Sequence, residues 1–213
     1  QIVLAVDDTL ARKRGLNVYG VGMHHDPLIS SRRKVVTNWG HSWVVLGVIV
    51  KFPFCEDKYF CLPILFRLYI SKQTIAKKGG VYRTRPELAV EMLQGLCQAY
   101  PDRSFHAVAD SAYGGQSVLG KLPTHCDLTS RLDLDARLYD APPKRKRGQQ
   151  GRTRKRGRKL PTPKKMLEGR TKTMTLKLYG RRDRVRMTDA VGRAHAVPDR
   201  LLRIVAVNPT TGG

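Results

Sequence analysis

Residues 84–110 read TRPELAVEMLQGLCQAYPDRSFHAVAD, and the change of period inside this stretch decides the fold. Leu88, Met92, Leu93, Leu96, Cys97 and Tyr100 recur at the spacing of one helix face. Thr84 and Glu87 match the S/T-x-x-E capping box, and Pro86 suits a first turn. The pattern predicts a helix from Thr84 to Tyr100 that Pro101-Asp102 ends. Phe105 to Ala109 then reads as a strand that stops at Asp110, before the small residues around Tyr113 in Ser111-Ala112-Tyr113-Gly114-Gly115.

Upstream of the helix, Ile2 to Val6 is a short apolar run ending in Asp7-Asp8-Thr9, followed by Arg12-Lys13-Arg14-Gly15. It predicts a buried strand running into a polar, basic turn. Trp43 to Phe52 and Phe60 to Ile70 are further apolar runs separated by Glu56-Asp57-Lys58, the pattern of an antiparallel pair joined by a loop, with Pro63 weakening the start of the second. The order is strand, strand, strand, helix, strand. A crossover helix makes the fourth strand parallel to the first, and the right-handed connection rule favours the two as neighbours. Asp7 or Asp8 then lies beside Asp110. Adjacent carboxylates repel unless cations bind them, and such hard oxygen ligands suit Mg²⁺. Two such ions about 4 Å apart serve an in-line displacement at phosphorus. The run Ile2 to Val6 does not alternate, so its period leaves Asp7 and Asp8 both open. A single strand-end Asp ordinarily caps a turn; order, context and charge together lift this pair.

The chain has 213 residues and 24.0 kDa, and 41% apolar residues suffice to bury a core, which excludes a wholly disordered chain. Forty Lys+Arg against seventeen Asp+Glu give +23, which implies a polyanionic partner, nucleic acid ahead of an anionic membrane or an acidic protein. The longest apolar run, Trp43 to Val50, falls far short of the ~20 residues that span a bilayer, so no membrane role is expected and the chain reads as soluble. Cys55, Cys61, Cys97 and Cys126 are irregularly spaced, as in a reduced intracellular protein where they are structural or inert. The chain begins at Gln1 inside an apolar run and stops at Thr211-Gly212-Gly213 after another, and reads as a fragment lacking both termini.

Downstream, Leu128 to Leu138 alternate with period 2, with Arg131, Asp133, Asp135 and Arg137 on one face, which predicts a strand with one wet face. After Pro142-Pro143, ten of the sixteen residues from Lys144 to Lys159 are Lys or Arg, and no acid occurs between Asp140 and Glu168. This predicts a disordered or DNA-ordered arm. Met174 to Tyr179, Arg184 to Met187 and Leu201 to Val207 predict short strands around Gly180 and Gly192.

Asp7-Asp8-Thr9 with Lys13 and Gly15, Tyr19-Gly20-Val21-Gly22-Met23-His24-His25-Asp26, Trp39-Gly40-His41 and Asp110-Ser111-Ala112-Tyr113 together resemble bacterial insertion-sequence transposases of the DDE superfamily, through almost the whole chain. The resemblance implies an α/β, ribonuclease-H-like mixed sheet with flanking helices and an inserted basic β region. It implies two Asp and one Glu that hold two Mg²⁺ (or Mn²⁺) ions for cleavage and strand transfer at insertion-sequence ends. The first Asp matches Asp7, with Asp8 the alternative, and the second matches Asp110. The Glu is expected on a helix beyond Gly213, absent from the chain, so the chain alone is expected to be inactive; Glu168 is the one substitute considered, against its Lys/Arg-rich surroundings. The implied layout is an incomplete catalytic core at 1–140, a basic arm or linker at 141–170, and a β-rich segment at 171–213 leading to the missing helix. DNA is the expected partner, bound as a homodimer, in the bacterial cytoplasm at the nucleoid.

Rival readings attach to several residues. Asp133 and Asp135 could bind metal, but Arg131 and Arg137 beside them favour charge balance along the strand. His24, His25, Cys55 and Cys61 lack the spacing of a zinc site. Trp39 and Trp43 suit packing before base stacking. The arm's cations Lys144, Arg145, Lys146, Arg147, Arg152, Arg154, Lys155, Arg156, Arg158 and Lys159, with Lys13, are the expected DNA contacts, displacing counterions from phosphates. Arg156-Gly157-Arg158 resembles the centre of an AT-hook, although Lys159 stands where Pro is usual. A catalytically inactive DNA-binding remnant is the alternative function; an RNA-binding or ribosome-associated protein would explain the charge but not the placed aspartates.

Overall fold

The structure, a computed structural model, describes residues 1–213 except 16, 32, 56, 57, 146, 149, 179, 180 and 210–213, and at 78, 178, 181 and 209 the backbone alone. Glu56, Asp57, Lys146, Tyr179, Gly180 and Thr211 to Gly213 therefore lie outside the described residues. The chain divides into two compact units, Gln1–Arg131 and Leu132–Gly213.

The first unit contains β1 (Ile2–Arg12), β2 (Gly22–His25), β3 (Thr37–Val50), β4 (Phe60–Tyr69), α1 (Lys72–Lys78), α2 (Arg85–Ala99), β5 (Phe105–Ala109), a 3-10 turn (Ser111–Tyr113), α3 (Gln116–Leu119) and β6 (Cys126–Ser130). Its strands form one mixed sheet in the order β2-β3-β1-β5-β6, with β4 on the same edge of β3 as β2. β1 is antiparallel to β3 and parallel to β5, and β5 is parallel to β6. The crossover between β1 and β5 is made through α2, as the periodicity predicts. Thr84 caps it, Glu87 closes the capping box, and Leu88, Ala89, Val90, Met92, Leu93 and Cys97 are its buried residues.

These residues share the core with Leu4 and Val6 of β1, Val44 and Leu46 of β3, and Phe105 and Ala107 of β5. Each strand thus buries alternate residues on one face of the sheet.

Several expectations are corrected. β1 does not turn at Asp7-Asp8: it runs on to Arg12, because the antiparallel register with β3 continues from Asp7↔Val45 to Arg12↔Gly40. Pro63 does not weaken β4, since it sits at the register shift beside Leu46 and Gly47 on an edge strand, where a missing N–H is tolerated. Helix α1, capped by Ser71, is not signalled by its short sequence KQTIAKK. The predicted strand from Leu128 to Leu138 breaks after Ser130: residues 131–137 pair with no strand, and a turn forms in which the Ala136 N–H donates to Asp133 O at 3.1 Å. Alternation without a partner does not make a strand.

The second unit contains β7 (Leu138–Tyr139), β8 (Lys159–Leu160), α4 (Pro163–Met166), β9 (Lys172–Leu178), β10 (Arg181–Ala194) and β11 (Val197–Pro209), with the sheet order β11-β10-β7-β8 and β9 also on β10. Leu138, Ala194 and Ile204 form its core, covered by Leu132, Leu160, Met166 and Leu202. Gly192 lies inside β10, where a side chain would run into Leu160 and the carbonyl of Tyr139. The stretch expected as a disordered or DNA-ordered arm is closed at its base: β7 pairs with β8, and the Asp140 N–H donates to Arg158 O at 2.8 Å.

Candidate active site

The parallel pairing of β1 with β5 places Val3 beside His106, Ala5 beside Val108, and ends at Val6 beside Ala109. Asp7 follows in β1, and Asp110 is the residue directly after β5. Asp110 keeps an extended backbone (φ −74°, ψ −177°), so side-chain alternation carries both carboxylates onto the face of Val3 and Val108, which are 39% and 44% exposed. Both aspartates are exposed. The Asp8 N–H donates to Asp7 Oδ1 at 2.8 Å, and the Ala112 N–H donates to Asp110 Oδ1 at 2.9 Å. The other oxygen of each has no hydrogen-bond partner among the described residues.

Asp8 falls on the opposite face, with buried Leu4 and Val6. Its Oδ1 accepts from the Tyr113 hydroxyl at 3.1 Å and its Oδ2 lies 3.3 Å from Arg85 Nε. Tyr113 is 1% exposed. Burial, then the negative field of Asp8 and its hydrogen bond, and more weakly Asp110 and Asp7, push the Tyr113 hydroxyl far above its ordinary pKa. It therefore stays protonated and donates. Arg85 also donates to Ser42 Oγ at 3.0 Å and lies over the Tyr69 ring at 4.3 Å. Beside Tyr69 stands His24, buried, with Nε2 lacking a partner among the described residues; burial first, then Arg85 and His41, lower its pKa. Neither Tyr113 nor Arg85 was singled out for a role by its sequence. Arg85 did leave a signal, because a cation in the first turn of a helix has the wrong sign for the helix dipole and needs another reason to be there.

The remaining candidates separate. Asp133 and Asp135 are exposed in the 131–137 segment, and Glu168 is exposed just after α4, both in the second unit. His24, His25, Cys55 and Cys61 form no zinc site: no group of three or more His, Cys, Asp or Glu able to hold a metal occurs among the described residues. None of the four cysteines is in a disulfide. The Trp39 indole donates to Gly15 O at 2.9 Å, and Trp43 packs edge-on to His41.

Lys13 is exposed, as are Lys144, Arg145, Arg147, Arg152, Arg154, Lys155, Arg156, Arg158 and Lys159. Lys144, Arg145, Arg147, Arg152 and Arg154 line one concavity of about 600 Å³. Arg156-Gly157-Arg158 is packed on its own unit: Arg156 lies over Tyr139 at 5.1 Å, the Gly157 N–H donates to Asp140 O at 3.2 Å, and Arg158 pairs with Asp140 at 3.3 Å. A second basic stripe, missed in the sequence, consists of Arg182, Arg184 and Arg186, exposed on one face of β10 with Lys177 across from Arg182. No helix among the described residues is long and apolar enough to cross a membrane.

No curated protein and no solved structure matches the chain. The family model described as DDE superfamily endonuclease matches residues 1–192, nine-tenths of the sequence, with the two paired-strand aspartates inside it. The chain belongs to the DDE superfamily endonucleases.

Proposed function

We propose that this chain carries the catalytic core of an insertion-sequence DNA transposase, cutting and joining DNA at the element's ends, and that Asp7 and Asp110 are its metal-holding carboxylates. The observation that carries the reading is their shared position: each directly follows Val6↔Ala109, the last pair of the parallel β1–β5 register, on one exposed face. An antiparallel set of four strands, β1 to β4, a crossover helix and two further parallel strands, in the sheet order found here, supports a ribonuclease-H-like core.

The donor set fits Mg²⁺ or Mn²⁺. Both groups are hard oxygen ligands, each steadied by one backbone N–H and each with an oxygen to spare. When bound, paired ions activate the attacking oxygen and stabilise the leaving one across an in-line displacement at phosphorus. Asp7 and Asp110 hold them; the basic loop at 144–159 and the β10 stripe bind the phosphate backbone without reading sequence. No third carboxylate of this chain is assigned to the site. Synapsis of two element ends calls for two copies on DNA.

Nicking of supercoiled plasmid in Mg²⁺ or Mn²⁺, measured beside DNA affinity, tests the reading. Any nicking should need the divalent ion, and Asp110→Asn should abolish it while DNA binding stays nearly intact. Equal loss of binding and cleavage would overturn the site. Binding without any nicking by wild type would favour an inactive DNA-binding remnant.

A further inference from the structure

Asp8, Tyr113 and Arg85 form a connected cluster on the sheet face opposite Asp7 and Asp110, and the proposed chemistry leaves it unused. Tyr113 is the last residue of the 3-10 turn that Asp110 opens. Asp110 holds that turn twice, through its Oδ1 on the Ala112 N–H and its carbonyl on the Tyr113 N–H at 3.3 Å. The far end of the same turn is tied back to β1 by the Tyr113 hydroxyl on Asp8 Oδ1 at 3.1 Å. Asp8 is the immediate neighbour of Asp7. The two candidate ligands therefore stand at the two ends of an open loop of contacts: Asp7, Asp8, Tyr113 and the turn, Asp110.

Arg85 steadies that loop from outside. One guanidinium from the first turn of α2 reaches Asp8 of β1 at 3.3 Å, Ser42 of β3 at 3.0 Å and the ring of Tyr69 of β4 at 4.3 Å. Asp8, 34% exposed, is thus contacted on both oxygens. A small pocket of about 230 Å³ lined by Asp8, Tyr69, Arg85 and Tyr113 leaves room beside the cluster.

We propose that Asp8 and Tyr113, with Arg85 behind them, are positioning residues that fix the separation of Asp7 and Asp110, and that Asp8 is not itself a metal ligand. A metal site needs its ligand oxygens held in place before the ion arrives, and groups that orient ligands typically change metal affinity when removed. The inference rests on the assignment of Asp7 and Asp110 as the metal-holding pair.

The test is Mn²⁺ binding to the 213-residue chain, read from the electron paramagnetic resonance signal of free Mn²⁺, with circular dichroism to confirm folding. Asp110→Asn should lose saturable binding. Tyr113→Phe removes one hydroxyl from a fully buried ring and should weaken binding about 10-fold while saturation is retained at high Mn²⁺. Asp8→Asn keeps an acceptor for Tyr113 but loses the charge facing Arg85, and should give a smaller loss, also saturable. If Asp110→Asn binds like wild type, the metal-site reading falls and this inference with it. If Asp110→Asn fails but wild-type affinity persists in whichever of Tyr113→Phe and Asp8→Asn folds, the positioning role alone is overturned. Loss of saturable binding in Asp8→Asn would make Asp8 a ligand, and would overturn it too.

Discussion

Arg12, the last residue of β1, holds the buried carboxylate of Asp26 at 2.6 Å, and Asn38 of β3 donates to the same oxygen at 2.7 Å. The Leu28 N–H donates to the other oxygen at 3.1 Å. This knot fastens the extended end of β1 to the segment after β2. The hydrogen bond from Arg12, then that from Asn38, hold the Asp26 pKa down to about 2, from an ordinary 3.8, against the opposing effect of burial.

A depressed carboxylate pKa stabilises the fold above the unfolded-state value and loses that contribution as pH falls through the folded one. Thermal melts of wild type should therefore weaken between about pH 4 and about pH 2. Asp26→Asn should melt lower at neutral pH and show a flatter dependence across that window. Parallel curves for the two proteins would mean that the ion pair is not formed in solution.

The capping box of α2 gives a second expectation. Thr84 Oγ1 accepts from the Glu87 N–H at 3.3 Å, and Glu87 Oε2 accepts from the Thr84 N–H at 2.9 Å. Thr84→Ala should cost about 1 kcal/mol of stability, read as a lower urea midpoint with unchanged slope. Because Arg85 follows the cap directly, the same variant should weaken Mn²⁺ binding more than an equally destabilising change in the second unit.

The capping box, the helix period and the stop at Asp110 were legible because each is a local device written in adjacent residues. So was the parallel pairing of the first and last strands around α2, which follows from chain handedness. Asp7 and Asp8 were not separable, because Ile2 to Val6 is apolar throughout; only the register with β5 and the partners of Asp8 distinguish them. The alternation from Arg131 to Arg137 misled for the opposite reason: a strand needs a neighbour, and a period cannot say whether one is present. The clasp on Arg156 to Arg158 depends on Tyr139 and Asp140, nearly twenty residues away, and no local pattern announces it.

That clasp predicts the effect of a minimal change. A side chain at Gly157 would run into the carbonyls of Ala141 and Asp140. Gly157→Ala should open the base of the basic loop and destabilise the second unit by about 1–3 kcal/mol, as overpacking does. Limited proteolysis should then cut the loop faster. Unchanged stability and proteolysis would mean that the loop is not fastened there.

The basic loop gives the last expectation. Replacing Lys144, Arg145, Arg147, Arg152 and Arg154 by Gln removes the five cations that line one concavity, yet leaves the β7–β8 pairing and the contacts of Arg156 and Arg158 in place. The fold should survive. Each lost phosphate contact should flatten the slope of log affinity against log salt by roughly 0.9, so the full set should flatten it by up to about 4.5. Replacing Arg182, Arg184 and Arg186 instead should flatten it by no more than about 2.7. Arg182 already faces Lys177 across the β9–β10 pair, and like charges set opposite each other are relieved when phosphate intervenes. If both slopes stay at the wild-type value, neither surface touches the DNA backbone; if only the loop variant moves, the loop alone carries the non-specific affinity. A loop variant that melts rather than binding more weakly would show that its cations serve the second unit's stability, and the DNA contacts would have to be sought on the β10 stripe.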